Sequence, residues 1–306
     1  MAYRITLPLA TARNVAKQTG RFLRAAQLST FVFLVLVAGV LASVGTIAQE
    51  TVKIGLILPM TGYAQSTGKE IDAAVKLFIQ QHGDTVAGKK IQVIVRDDAA
   101  IADTTRGIAQ ELIVNDKVAV LAGFGVTPSA LTTAPIATQA KVIELVMAAA
   151  TSIIVEKSPY IVRTSGTLAQ SSVIIADWAA RNGIKKVISL VSDYAPGFEA
   201  EKAFIDRYKA AGGDVVASLR VSIASPDFAP ILQRVADAAP DAIFIFVPSS
   251  QGVNFIRQFV ERGLDKSGVK IIGTGDVTGD DQLPGMAMRS SAPSPRTFIP
   301  HRIIPN

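Results

Sequence analysis

From residue 52 to residue 273 the chain repeats one rhythm. A short run of Val, Ile and Leu is followed by a loop rich in Gly, Pro, Ser and Asp, then by ten to fifteen residues with apolar positions at helical spacing. The runs predict strands at 53–58, 91–96, 118–122, 142–146, 186–192, 215–221, 242–247 and 270–273, and the periodic stretches predict helices at 69–82, 103–115, 129–140, 168–182, 198–211, 228–238 and 251–262. A strand with one wet face alternates apolar and polar residues, whereas Ala242-Ile243-Phe244-Ile245-Phe246-Val247 is apolar at every position. Such strands belong inside a mainly parallel sheet covered by helices on both faces, which makes the fold class α/β. Near Tyr160-Ile161-Val162-Arg163-Thr164-Ser165-Gly166 a short strand interrupts the alternation and a new series begins. The organisation expected is an α/β lobe over 49–165, a second and incomplete one over 166–276, and a return crossing with an irregular tail over 277–306.

What precedes the first strand changes the reading of charge. Residues 1–48 carry Arg4, Arg13, Lys17, Arg21 and Arg24 with no acid, then a twelve-residue apolar run at 31–42, then small residues ending Thr46-Ile47-Ala48. This is the order of a signal peptide, with cleavage expected after Ala48 and the mature protein in the periplasm. An uncleaved anchor is the alternative, but a spanning helix needs about 20 apolar residues. The net charge of +6 less the five basic residues of this segment leaves +1, which removes the main support for nucleic-acid binding. Cysteine is absent, so disulfides, thiolate zinc sites and cysteine nucleophiles are excluded.

Ligands of open α/β sheets sit beyond the carboxyl ends of the strands, and pockets favour the seam between domains. Five loops qualify. Residues 60–68 offer Thr61, Tyr63, Ser66 and Thr67 for a polar ligand group, or simply begin a helix that Ser66 or Thr67 caps. Gly123-Phe124-Gly125-Val126-Thr127-Pro128-Ser129 leads into a helix whose free N–H groups favour a carboxylate. It is not a dinucleotide fingerprint, because Pro128 stands where the third glycine should be and the loop follows the third strand. Ala148-Ala149-Ala150-Thr151-Ser152 lets carbonyls and the Thr151 hydroxyl approach a ligand, or is an ordinary Ala-rich turn. In the second lobe Asp193, Tyr194 and Asp276 could meet an ammonium group or a polar edge, against a plain capping or turn role for either aspartate.

An enzyme is the rival class. Asp97-Asp98 could suggest acid–base or metal work, yet they precede a helix and N-capping is the expected role. His82 closes a predicted surface helix, His301 lies in the tail, and neither completes a catalytic or metal cluster. Trp178 falls in a helical apolar pattern and is expected in the core. No catalysis and no cofactor are therefore expected.

Residues 52–62, Arg96-Asp97-Asp98, Ala149-Ala150-Thr151, residues 160–165, and Asp227-Phe228 followed by Pro240-Asp241-Ala242-Ile243 together resemble the branched-chain amino-acid-type binding proteins of ABC importers. The resemblance runs in order from residue 52 to residue 286. It implies a type I periplasmic binding fold in which two lobes, each a mainly parallel sheet with helices on both faces, close around a small ligand such as a hydrophobic amino acid. An ABC permease of the inner membrane is then the partner. It places Thr67 in the first loop, Ser129 or Thr127 on the carboxylate, and Ala149 and Thr151 as backbone and hydroxyl contacts. In the second lobe Tyr194 sits slightly out of register with the family's tyrosine, and Gly275-Asp276 stands at its glutamate position. Related receptors take aromatic acids, amides or urea-like solutes. An exported ligand-sensing domain, or a receptor left non-functional by truncation, is the alternative. After Met286 the family would continue for about a hundred residues, whereas 287–306 carry four prolines and no period. The expectation is a frameshift near Met286 that leaves the C-terminal part missing. Translating the downstream DNA in the other frames would test it, and absence of a strand–helix continuation there would refute it.

Overall fold

The computed structural model describes residues 49–224 and 226–277. The expected signal peptide at 1–48 and the expected tail from residue 278 onward lie outside the described residues. Among the described residues no helix is long and apolar enough to cross a membrane.

The first half is a six-stranded sheet built from β1 (Thr51–Leu58), β2 (Thr85–Val86), β3 (Lys89–Asp97), β4 (Val120–Gly123), β5 (Ile143–Val146) and β6 (Ile161–Arg163), in the order β2-β3-β1-β4-β5-β6. Every pairing is parallel except that of β2 with β3. That hairpin was not expected from the pattern, since β2 is two exposed residues long. Its turn is Ala87-Gly88, with φ of 49° and 78°, the left-handed pair that lets a two-residue loop match the strand twist.

Helices α1 (Gln65–His82), α2 (Ala102–Val114) and α3 (Thr127–Ala140) cover this sheet. Ile57, Leu121 and Val146 pack with Leu112 of α2 and Ala130 and Ala134 of α3. Leu56, Leu58 and Ala122 pack on the opposite face with Ile71 and Val75 of α1. The alternation along β1 thus feeds two cores, as a sheet covered on both faces requires.

The second half is an all-parallel four-stranded sheet of β7 (Lys186–Ser192), β8 (Asp214–Val221), β9 (Ala242–Phe246) and β10 (Lys270–Gly273), in the order β10-β9-β7-β8. Helices α4 (Leu168–Arg181) and α5 (Ala195–Ala210) pack on one face through Phe204, Tyr208 and Phe244. Helices α6 (Ala229–Ala238) and α7 (Ser249–Glu261) pack on the other through Phe228, Phe255 and Phe259. All five residues of β9 are buried, in keeping with its unbroken apolar run. The capping box of α4 is complete, Thr167 and Gln170 each accepting from the other's backbone N–H.

Candidate ligand-binding cavity

Two tight turns bring the first half's loops together. Gly123 has a φ of 110°, and a Cβ there would stand 2.2 Å from the Ile57 carbonyl oxygen, so only glycine lets the chain leave β4 across β1. Gly68 lies in the first turn of α1 so close to Pro59 that a Cβ would meet its carbonyl oxygen at 2.3 Å. These two approaches draw the loops after β1 and β4 towards the Ala148–Ala150 segment that follows β5.

The result is a cavity lined from the first half by Tyr63, Ala64, Thr67, Gly125, Val126, Thr127 and Ala148 to Ala150. The second half lines it with Leu168, Tyr194, Pro196, Phe246, Pro248 and Asp276. Of the residues expected from sequence, Thr67, Thr127, Ala149, Tyr194 and Asp276 are brought together here, and two take other positions.

Ser129 is fully buried behind the cavity wall. Its hydroxyl donates to Asp98 Oδ2 at 2.7 Å and lies 2.8 Å from Thr105 Oγ1, which also donates to Asp98 Oδ2. That hydroxyl is committed to a carboxylate of the protein itself, so of the two alternatives, Ser129 or Thr127, it is Thr127 that lines the cavity. Thr151 also stands one layer back, its Oγ1 2.7 Å from the Thr127 hydroxyl, so that it supports the lining residue.

The aspartate pair departs from expectation in a related way. The residue preceding α2 is Ile101, which has no side chain able to cap. Asp98 Oδ1 accepts from the N–H of Ala100, and Asp97 accepts from Met60, Thr61 and Ala99 N–H and the Thr61 hydroxyl. Burial would raise the Asp97 carboxyl, but these donors hold it below the ordinary carboxylate range. The pair therefore ties the loop after β1 to that after β3 and caps no helix. Likewise α1 begins at Gln65, after Ala64, so Ser66 and Thr67 are inside its first turn rather than ahead of it. The cost of an uncapped start leaves Thr67 free to line the cavity.

The two walls differ in chemistry. On the first, α3 begins after Val126 with no side-chain cap and with a proline in its first turn, so its N–H groups and the positive end of its dipole lie beside Thr127 at the cavity. On the second, Tyr194 stacks on Phe246 with ring centroids 6.2 Å apart and planes 12° apart. Burial, then the charge of Asp276, then Tyr63 push the Tyr194 phenol well up, and burial followed by Asp98 raises Tyr63. Both phenols stay protonated across the physiological range and present donors. Thr274 Oγ1 donates to Asp276 Oδ2 at 3.1 Å.

Sequence reasoning missed Arg163 and Glu199. Arg163 ends β6 and donates from Nη1 to the carbonyl of Ala149 and from Nη2 to that of Thr151, the latter at 2.6 Å. Glu199 of α5 reaches across from the second half and accepts the Ser152 N–H, at 3.0 Å to Oε2, together with its hydroxyl. The only signal in the sequence was an arginine at a strand end, which has many surface explanations. Trp178 packs against the second half's core, and His82 is exposed with its ring 4.2 Å from Phe78. His301 lies outside the described residues. Among the described residues no group of three His, Cys, Asp or Glu could hold a metal ion.

A family model described as periplasmic binding protein matches residues 51–292. A "Leu/Ile/Val-binding protein homolog 6" of Brucella suis biovar 1 (strain 1330) is 42% identical over 239 residues, which are 78% of this chain and 61% of that protein. The solute binding protein of an ABC transporter from Rhodopseudomonas palustris BisB5, solved in complex with 3,4-dihydroxy benzoic acid, is 66% identical with a TM-score of 0.76, over 79% of this chain and 66% of that one. A second R. palustris solute binding protein, solved with 4-hydroxybenzoate, is 41% identical with a TM-score of 0.74, over 77% and 64%. The chain thus spans somewhat less than two thirds of each of these three proteins. These neighbours share its α/β fold of mostly parallel sheets.

Proposed function

Since the chain belongs to the periplasmic binding protein family, we propose that it is a solute receptor of an ABC importer, taking a small organic carboxylate between its two halves and presenting the loaded form to an inner-membrane permease. The lobes are those of residues 49–165 and 166–276, and the place of action is the periplasm, as the basic, apolar and small-residue order of 1–48 suggests. The role is binding without chemistry, as in the family.

The observation that carries this reading is the pairing of unlike walls. The α3 N-terminus beside Thr127 suits a carboxylate, because unpaired N–H groups and the helix dipole favour negative charge. The stacked Tyr194 and Phe246 suit a flat apolar body, and Asp276 offers an acceptor for a hydroxyl at its edge. A hydroxylated aromatic acid carries all three features, and the two R. palustris proteins were solved with such acids. A hydrophobic amino acid is the second reading, favoured by the name of the Brucella relative and by the negative charge of Asp276.

Micromolar affinity corresponds to about −8 kcal/mol. Charge-assisted hydrogen bonds of about 1.5–3 kcal/mol each and burial of a ring at ~25 cal/mol per Å² reach that value after the ordering cost. A ligand touching both walls contacts them together only when the halves are closed, so its binding shifts the population towards the closed form. Isothermal titration of the full chain with 3,4-dihydroxybenzoate, 4-hydroxybenzoate and leucine tests the reading. Micromolar or tighter binding of at least one carboxylate is expected, and absence of both heat and melting shift with all of them refutes it.

A further inference from the structure

We propose that Glu199 is a latch between the two halves, a carboxylate of α5 that grips Ser152 of the first half when the receptor is shut and so sets ligand affinity without touching the ligand. The inference rests on the receptor reading above and adds a positioning residue to it.

Glu199 and Ser152 lie 47 residues apart and belong to different halves. The Ser152 N–H is shared between the two carboxylate oxygens, at 3.1 Å to Oε1 and 3.0 Å to Oε2, and the Ser152 hydroxyl donates to Oε1. Hydrogen bonds to an ionised carboxylate are roughly twice as strong as those between neutral groups. Neither residue lines the cavity, yet each adjoins residues that do. Ser152 continues the loop that lines it with Ala148 to Ala150, and Glu199 stands about one helical turn beyond Pro196 on α5.

Both mounts of this contact are stiff, so little order has to be gained when it forms. On the second half Ala200, next to Glu199, and Phe204, just over a turn further on, are fully buried in the core. On the first half Arg163 of β6 holds the carbonyls of Ala149 and Thr151, just ahead of Ser152. Burial lowers the Arg163 guanidinium and the charge of Glu199 opposes that lowering, so the arginine and the latch attract one another. A bond between the halves that the ligand never meets acts on affinity through closure alone. The apparent affinity of a ligand for the shut form scales with the fraction of receptor in that form. The latch raises that fraction by one factor, whatever the ligand. Because the bond resists opening, the factor belongs in the rate of ligand release rather than of capture.

Titration calorimetry and stopped-flow release of 3,4-dihydroxybenzoate, 4-hydroxybenzoate and leucine from the full chain test this. Glu199→Ala is expected to weaken every ligand that binds by the same factor, about tenfold, through faster release with capture unchanged. Glu199→Gln, which keeps the length and an acceptor but not the charge, is expected to recover part of that loss. Ser152→Ala removes the hydroxyl and leaves the N–H, so its loss is smaller, and adding it to Glu199→Ala should cost nothing further. A residue that merely supports α5 would not produce that non-additivity, nor confine the loss to release. If Glu199→Ala does not fold, Glu199→Gln with Ser152→Ala forms the same cycle. Unchanged affinity in the Glu199 variants, losses that multiply in the double variant, or losses that differ between ligands overturn the latch and leave the receptor reading standing. Absence of binding of all three ligands to the unmutated chain brings down the receptor reading, and the latch with it.

Discussion

The two halves differ in what dominates their interiors, although the second also buries Ser172, Ser189, Ser192, Glu201 and Gln251. The first places charge and hydroxyl groups in its interior: Asp98 with Thr105 and Ser129, the Thr127 and Thr151 pair, and Glu144 on β5 with neither carboxylate oxygen hydrogen-bonded. The largest buried side chains of the second are aromatic, with Phe204, Phe244, Tyr208, Phe228, Phe255 and Phe259 packed on the two faces of its sheet. Aromatic packing is favourable over a broad range of geometry, whereas a buried polar cluster is stable only when each partner is correctly placed. The first half therefore holds its loops at defined positions around the cavity, and the second lines it with a more apolar surface that includes Leu168, Pro196, Phe246 and Pro248.

The largest expected effect lies in the aromatic half. Phe244 is fully buried and stacks on Phe204 at 4.0 Å. Phe244→Ala is expected to cost about 3–5 kcal/mol of stability, read from urea unfolding of the full chain. A loss below about 1 kcal/mol would mean that the second core is loosely packed, and the contrast would fail.

A few kcal/mol are at stake at Glu144, where burial pushes the carboxyl up to about 8. In the unfolded chain this group titrates near 4.5. Between those values the folded state binds more protons than the unfolded, so stability is full below about pH 4.5 and declines as pH rises towards 8. The slope approaches about 1.4 kcal/mol per pH unit. Glu144→Gln replaces the titrating carboxyl with a neutral isostere and should flatten this part of the profile. Identical urea midpoints against pH for both proteins would show that the carboxyl is not desolvated.

Binding effects follow. Tyr194→Ala removes the ring stacked on Phe246 and should weaken aromatic acids by roughly 30-fold, about 2 kcal/mol, while aliphatic acids of similar length lose less. Equal losses across both series would contradict an aromatic wall. The smallest effect expected is from Thr127→Val, which removes one buried hydroxyl shared with Thr151. It should weaken every carboxylate by about tenfold, near 1.4 kcal/mol, with no change in rank order by titration calorimetry.

Much of this arrangement was legible beforehand, and the misses have a common cause. The unbroken run of β9, the strand at 160–166 and the loop from Gly123 to Thr127 were identified from local pattern because period, glycine and proline act over a few neighbouring residues. Helix starts slipped: α1 begins at Gln65 and α5 at Ala195, several residues before their apolar periods do. Pro196 sits in the first turn of α5, a position where a missing N–H costs nothing. The hairpin of β2 escaped because its two residues have no period.

By itself the sequence determined the alternation of strands and helices, the parallel sheets, the five loops at the strand ends and the family. Each follows from spacing along the chain, and spacing needs no knowledge of distant partners. Only the tertiary structure decided which polar groups face the cavity. Ser129 meets Asp98 from 31 residues away, Arg163 meets Ala149 from 14, and Glu199 meets Ser152 from 47. A hydroxyl or a carbonyl is available to a ligand only if nothing else has claimed it, and what claims it is brought near by the packing of the whole sheet.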